Sequence, residues 1–192
     1  FAVTALGDIG DTRAYPRINS MLEVEKVAIV VIAAAKALWR FGDNSGGKYV
    51  IPFIDAEKWE LRRFAISTLG SLKYEPAKPA LLERITYDSS RPEAQQDLER
   101  HPLVLCDLAM SLKRLGDNAG LPILSKMSRH ESSDVRLLAV KALTKFDDRL
   151  ALLSIAVSCR DKDERVADLA YDYLYGIRDE VIPMLQKLYL DE

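Results

Sequence analysis

The chain has 192 residues, 48% of them apolar, with 27 Lys and Arg against 29 Asp and Glu and a formal net charge of −2. It is long and apolar enough to bury a continuous core, and too acidic overall for the basic footprint that phosphate-backbone binding normally leaves. Two cysteines make no disulfide framework, and the apolar run over 27–35 is too short to span a bilayer.

The first segment, about 1–23, starts inside a helix. Ala2, Leu6 and Ile9 share one face, Gly10-Asp11 ends it, and a second helix follows with Ala14, Pro16, Ile18 and Leu22. Because Phe1 already occupies a mid-helix position, the sequence reads as a fragment of a longer chain, with further repeats or another domain upstream. The segment 24–56 repeats the pattern with Val30, Ala34, Leu38 and Phe41, the turn Gly42-Asp43, and Pro52 displaced by the extra residues 44–47. In 57–87 the corresponding residues are Leu61, Ala65, Leu69 and Leu72, then Ala77, Pro79, Leu81 and Ile85. An insertion follows at about 87–99, where Ser89 or Ser90 before Pro92 and Glu93 predicts a short extra helix. His101-Pro102 opens the fourth segment, 100–131, with Val104, Leu108, Leu112, Leu115, Gly116-Asp117 and Pro122. The fifth, 132–161, has Val135, Ala139, Leu143, Phe146, Asp147-Asp148, Ala151, Ile155 and Cys159. The last, 162–192, has Val166, Ala170, Leu174, Ile177 and Pro183; Tyr171, Tyr173, Tyr175 and Tyr189 mark it as a C-terminal cap or an aromatic contact patch.

The six leucines at 6, 38, 69, 112, 143 and 174 are spaced by 32, 31, 43, 31 and 31 residues. A period in this range is the signature of stacked supersecondary units. Offsets of −8, −4, 0 and +3 from each leucine fall on one helix face, so each unit opens with a helix of about four turns. Five of the six residues just before the leucine are small (Ala5, Ala37, Thr68, Ser111, Ala142), which lets a neighbouring helix come close. Glycine ends the helix in a left-handed conformation, aspartate caps the next one, and proline fits its first turn. The expectation is an all-α right-handed α-solenoid, an α-α superhelix of about six helix pairs in a single repeat domain.

These residues carry a resemblance. Asp134-Val135-Arg136-Leu137-Leu138-Ala139-Val140-Lys141-Ala142-Leu143 resembles the Val-Arg…Ala…Ala-Leu opening of HEAT repeats. Ala5-Leu6-Gly7-Asp8-Ile9-Gly10-Asp11 with Ala14 and Pro16 resembles the continuation found in the short HEAT-like repeats of phycobilisome lyase subunits. The resemblance implies the fold. It also implies that the second helices line a concave face, and it carries no catalytic residue across.

Chemical motifs are sparse. Gly42-Asp43-Asn44-Ser45-Gly46-Gly47-Lys48 matches a P-loop up to its lysine, but Tyr49 stands where Ser or Thr is needed, and a widened turn between helices explains the glycines better. His101 and His130 have no partner at zinc-site spacing, no Cys-x-x-Cys pair exists, and no Gly-x-Ser-x-Gly elbow is present. No catalytic, metal or cofactor residue is expected, and the chain reads as a non-enzyme in the cytoplasm with Cys106 and Cys159 reduced.

One asymmetry points to a partner. The second-helix segments 12–22, 46–55, 76–87, 118–130, 149–160 and 179–190 hold ten Lys and Arg and four Asp and Glu, an excess of six positive charges in a chain of net −2. A surface of one sign draws ligands of the other. The candidate partner-binding residues are Arg13, Tyr15, Arg17, Lys48, Tyr49, Lys78, Arg84, Lys126, Arg129 and Arg160, with Arg149 and Lys187 adding charge. The competing reading is that such residues complement helix dipoles or pair with acidic neighbours. The expected role is a protein-interaction scaffold taking an acidic protein or peptide segment in the concave groove, away from membranes. The alternatives are a nucleic-acid-binding HEAT-like protein and, on the resemblance, a bilin-lyase-like enzyme subunit or chaperone, or a HEAT-fold DNA glycosylase.

Overall fold

A computed structural model describes residues 2–90, 101–179 and 182 of the chain. Among them are eleven α-helices, three short 3-10 segments and no strand, an all-α solenoid of paired helices. The chain falls into two compact units, Phe1–Gly120 and Leu121–Glu192. The first holds α1 (Ala2–Ile9), α2 (Tyr15–Val24), α3 (Ala28–Arg40), α4 (Gly47–Val50), α5 (Trp59–Ser71), α6 (Lys78–Ser90) and α7 (Pro102–Arg114). The second holds α8 (Leu121–Met127), α9 (Ser133–Leu143), α10 (Arg149–Ser158) and α11 (Glu164–Gly176). Of the insertion at about 87–99, residues 87–90 belong to the end of α6, so Ser89 and Ser90 continue that helix rather than start a new one. Residues 91–99, with Pro92 and Glu93, lie outside the described residues, as do Pro183, Lys187 and Tyr189.

The leucine frame is the core. Leu38, Leu69, Leu112 and Leu143 are fully buried, as are Ala34, Ala65, Leu108, Ala139 and Ala170 four residues before their leucines. Leu6 departs from the frame at 38% exposure, with Ile9 at 72%. Helix α1 meets α3 through Gly7 instead, where a Cβ would lie 2.8 Å from both Cα and Cβ of Ala37. The same device joins α5 to α7: a Cβ on Gly70 would lie 2.6 Å from the Cα of Ser111. Ala37 and Ser111 are the small residues that precede the repeat leucines; Gly7 and Gly70 follow theirs. Ser111 Oγ donates to the Ile66 carbonyl at 2.9 Å, so this small side chain also bonds across the seam.

The connections follow the expected chemistry. Asp11 accepts from the Arg13 backbone N–H at 3.0 Å and Asp148 from that of Leu150 at 2.8 Å, each satisfying a donor with no partner in its own helix. Pro16 sits in the first turn of α2. The second helix of the second repeat is broken: α4 gives way to a 3-10 segment, Ile51–Asp55, containing Pro52, which has no N–H to continue an α ladder.

Gly10, Gly42 and Gly116, four residues after their leucines, take φ of 72°, 88° and 69°. In the third repeat this place belongs to Lys73, at φ 50°. A left-handed conformation costs a non-glycine residue about 1–2 kcal/mol, of which glycine's larger unfolded-state entropy takes back about 0.5–1 kcal/mol. Lys73→Gly should therefore stabilise the protein by about 0.5 kcal/mol and raise Tm by a few degrees in a thermal melt. A lower Tm would show that residue 73 is not strained.

Candidate binding surfaces

Each unit carries its own set of the candidate residues. In the first unit, Arg13 is exposed and bound to Asp11, Nε to Oδ2 at 2.9 Å and Nη2 to Oδ2 at 2.6 Å. This pairing holds Asp11 below the usual carboxylate range. Tyr15 and Tyr49 are partly buried against Ile18, Leu22, Val31 and Leu38. Tyr15 OH donates to Asp43 at 2.8 Å, which raises the phenol's pKa, and its ring meets Phe41 edge-on at 6.1 Å. Burial would raise the Asp43 carboxyl, but hydrogen bonds from Ser45 and Tyr15 hold it below its ordinary value. Lys48 is exposed, with Nζ 4.8 Å from the centre of the Tyr49 ring. Lys78 lies 3.4 Å from Asp117. Arg84 is placed in the interior, its side chain 6% exposed and its Nε 3.6 Å from Asp55. Arg17 remains exposed and makes no ion pair with any described residue. Several second-helix cations are thus answered by carboxylates, and two of these, Asp11 and Asp117, are turn residues outside the counted helices.

In the second unit, Lys126, Arg129 and Arg160 are exposed at the ends of α8 and α10. Arg129 and Arg160 make no ion pair with any described residue. Their position just past helix C-termini suits the helix dipole, an effect of only a few tenths of a kcal/mol up to about 1 kcal/mol at exposed sites.

The glycine-rich segment 42–48 is a helix-to-helix turn. A Cβ on Gly46 would lie 2.8 Å from the Cα of Ala35, and Gly47 is pressed against the Tyr74 ring, so both glycines serve packing. Among the described residues no cluster of His, Cys, Asp and Glu could hold a metal, and no helix is long and apolar enough to cross a membrane. Both cysteines are free; burial pushes the Cys106 thiol up to about 12.

Two features escaped the sequence reading. A groove of about 1010 Å3 in the first unit is lined by Val27, Ile29, Trp59, Phe64, Arg63 and Asp107 among others. It lies on first helices, whereas the candidate cations were sought on second helices. His101 stacks on Trp59 with ring centres 5.0 Å apart. Burial pushes the Asp107 carboxyl up, and Arg63, 2.5 Å away, offsets this only in part. The charged pair is self-contained, and the rest of the groove is largely apolar.

The second feature gives the Val-Arg motif its function. Arg136 is buried and donates to the carbonyls of His130 and Glu131 at 2.9 and 2.8 Å, and by Nε and Nη2 to the two oxygens of Asp161 at 2.7 Å each. Arg62 stands in the same repeat position and bonds the carbonyls of Ala56 and Glu57 at 2.9 and 3.0 Å. The arginine therefore ties the loop before each of these helices to the helix itself. Arg136 and Asp161 side chains retain only 7% and 8% exposure. The Arg136 hydrogen bonds hold the Asp161 carboxyl below its ordinary value. A carboxylate with a lowered folded-state pKa contributes stability that is present above its unfolded pKa of about 4 and is lost as pH falls through the folded value. Asp161→Asn should cost about 3 kcal/mol at pH 7 by leaving a buried guanidinium unpaired, and the difference from wild type should narrow below about pH 4. Equal melting of the two proteins at pH 7 would contradict this.

Two family models match within residues 1–99. A model described as HEAT repeats matches residues 28–99, and one described as PBS lyase HEAT-like repeat matches residues 1–23. Phycocyanobilin lyase subunit alpha of Thermosynechococcus vestitus is 35% identical over 82 residues, 42% of this chain. That match spans 29% of the relative's length.

Proposed function

We propose, because the chain is a HEAT-repeat protein with repeats of the phycobilisome-lyase type, that it is a non-catalytic interaction scaffold. It binds an acidic segment of a partner protein through its second-helix faces. The observation that carries this reading is the exposure of Arg17, Arg129 and Arg160 without an ion-pair partner among the described residues. Unpaired surface charge of one sign steers and selects a partner of the other. A nucleic-acid partner is the weaker reading, because the net charge is −2 and several cations elsewhere are already paired.

The partial match to a protein named as a lyase subunit favours a second reading. On it, this chain serves as a subunit or chaperone beside a bilin-attaching enzyme. Mixing the purified protein with phycocyanobilin separates the two readings: a shifted visible absorbance band that co-elutes with the chain supports the second.

The scaffold reading is tested by affinity capture and mass spectrometry at low and high salt, comparing wild type with a folded Arg17→Glu/Arg129→Glu/Arg160→Glu variant. The expected result is an acidic protein whose recovery falls about tenfold in the variant and also falls with salt, as screening shortens the reach of exposed charges. Equal recovery on both proteins, or recovery of nucleic acid alone, would contradict it.

A further inference from the structure

The outward face of α8 and α10 in the second unit combines charge and apolar surface in a way that its own packing does not use. Neither 118–130 nor 149–160 contains an Asp or Glu. Lys126, Arg129, Arg149 and Arg160 are exposed there. Along α10, Leu150, Leu153 and Val157 are 38%, 44% and 60% exposed. Spaced three and four apart, they lie on one face of the helix. The opposite face holds Ala151 and Ile155, fully buried, and Ser158, 4% exposed.

The Ser125 and Ser154 hydroxyls meet at 2.8 Å and set α8 beside α10. Helix α8 turns Leu121, Leu124 and Met127 inward and Pro122, Lys126 and, just past its end, Arg129 outward. Both helices also pack on α9, so their cores share a side and their outward faces adjoin. The result is an apolar lane bordered by cations with no carboxylate in either segment. Contiguous exposed apolar surface rimmed by polar groups marks an interaction site, whereas scattered apolar residues do not.

We infer that this face binds an acidic amphipathic helix of a partner protein, its apolar side on Leu150, Leu153 and Val157 and its flanking carboxylates at Arg129, Arg149 and Arg160. This rests on the scaffold reading and names the partner's chemistry. The lane from 150 to 157 is about 10 Å long, two turns of helix, which is the span over which a partner helix presents its anchors. A second copy is disfavoured, since a self-complementary contact would set these arginines against one another. An anionic bilayer fits less well, because helices that lie in a membrane surface carry Trp or Phe on the apolar side and this lane carries neither.

Fluorescence anisotropy on the full chain tests the inference. The probe is a fluorescein-labelled helical peptide about 18 residues long with leucines at helical spacing and glutamates on the flanks. Control peptides carry lysine for glutamate, or serine for leucine. The glutamate peptide should bind at least about tenfold tighter than either control, and Leu153→Ser/Val157→Ser should weaken it about tenfold. These positions are exposed, so thermal melts of the variant should match wild type. Unchanged affinity in that variant would overturn the assignment of this face. If Arg17→Glu/Lys48→Glu then abolished binding, the scaffold reading would stand and only the face would be wrong; if neither variant changed binding, both would fall. Preferential binding to phosphatidylserine vesicles, or a dimer in sedimentation that Leu153→Ser/Val157→Ser dissociates, would overturn the inference in favour of a lipid surface or a second copy.

Discussion

Close backbone contact between first helices of the first unit, α1 with α3 and α5 with α7, is the constraint on which the rest of that unit depends. It is made where a glycine just after one repeat leucine faces the small residue just before the next: Gly7 against Ala37, and Gly70 against Ser111. Beside these contacts Leu38, Leu69 and Leu112 are fully buried, and close approach of this kind is what lets a small core collect its dispersion and burial terms. The seam also explains why the residue before the leucine is small but not always apolar. Ser111 satisfies its hydroxyl by bonding the Ile66 carbonyl of the facing helix. A larger side chain on either partner would separate the helices and carry the second helices with them.

The surface follows from that core. Once each first helix is committed inward, the short turn and the capping aspartate fix where the second helix starts, and so which of its residues meet solvent. The same aspartates decide how much positive charge remains outside. Asp11 takes up Arg13 and Asp117 takes up Lys78, so cations near the turns are neutralised by the residues that cap. Asp161 is drawn inward by Arg136 and contributes to stability instead. Arg17 in α2, and Arg129 and Arg160 in the turns just past α8 and α10, meet no carboxylate among the described residues and stay exposed. Surface pairs such as Arg13 with Asp11 add little stability; their effect is on the charge a partner meets.

The repeat period was legible because a buried helix face must recur every three to four residues, and Leu38, Leu69, Leu112 and Leu143 obey that rule without exception. The left-handed turns were legible at Gly10, Gly42 and Gly116 but not at Lys73, where side-chain type gives no sign of positive φ. Leu6 fitted the period and is nonetheless 38% exposed, because periodicity reports a face and not what covers it. The seam glycines were visible, but an isolated glycine in a helix has no meaning until its neighbour across the interface is known. For the candidate site the limit was pairing. Counting charges along helices cannot show that Arg84 lies inside or that Tyr15 is committed to Asp43, since both partners are distant in sequence. The groove beside Trp59 and Phe64 was missed because Phe64 lies off the repeating face.

Native-state hydrogen exchange of Gly70→Val, with its thermal melt, tests the seam most directly. A Cβ there would lie 2.6 Å from Ser111 Cα, so the helices must part. Overpacking should cost about 2–3 kcal/mol, and the amides of α5 and α7 should lose protection together as one cooperative element. Unchanged stability, with protection retained in both helices, would mean that the close approach is incidental and that the stack is held by the leucines alone.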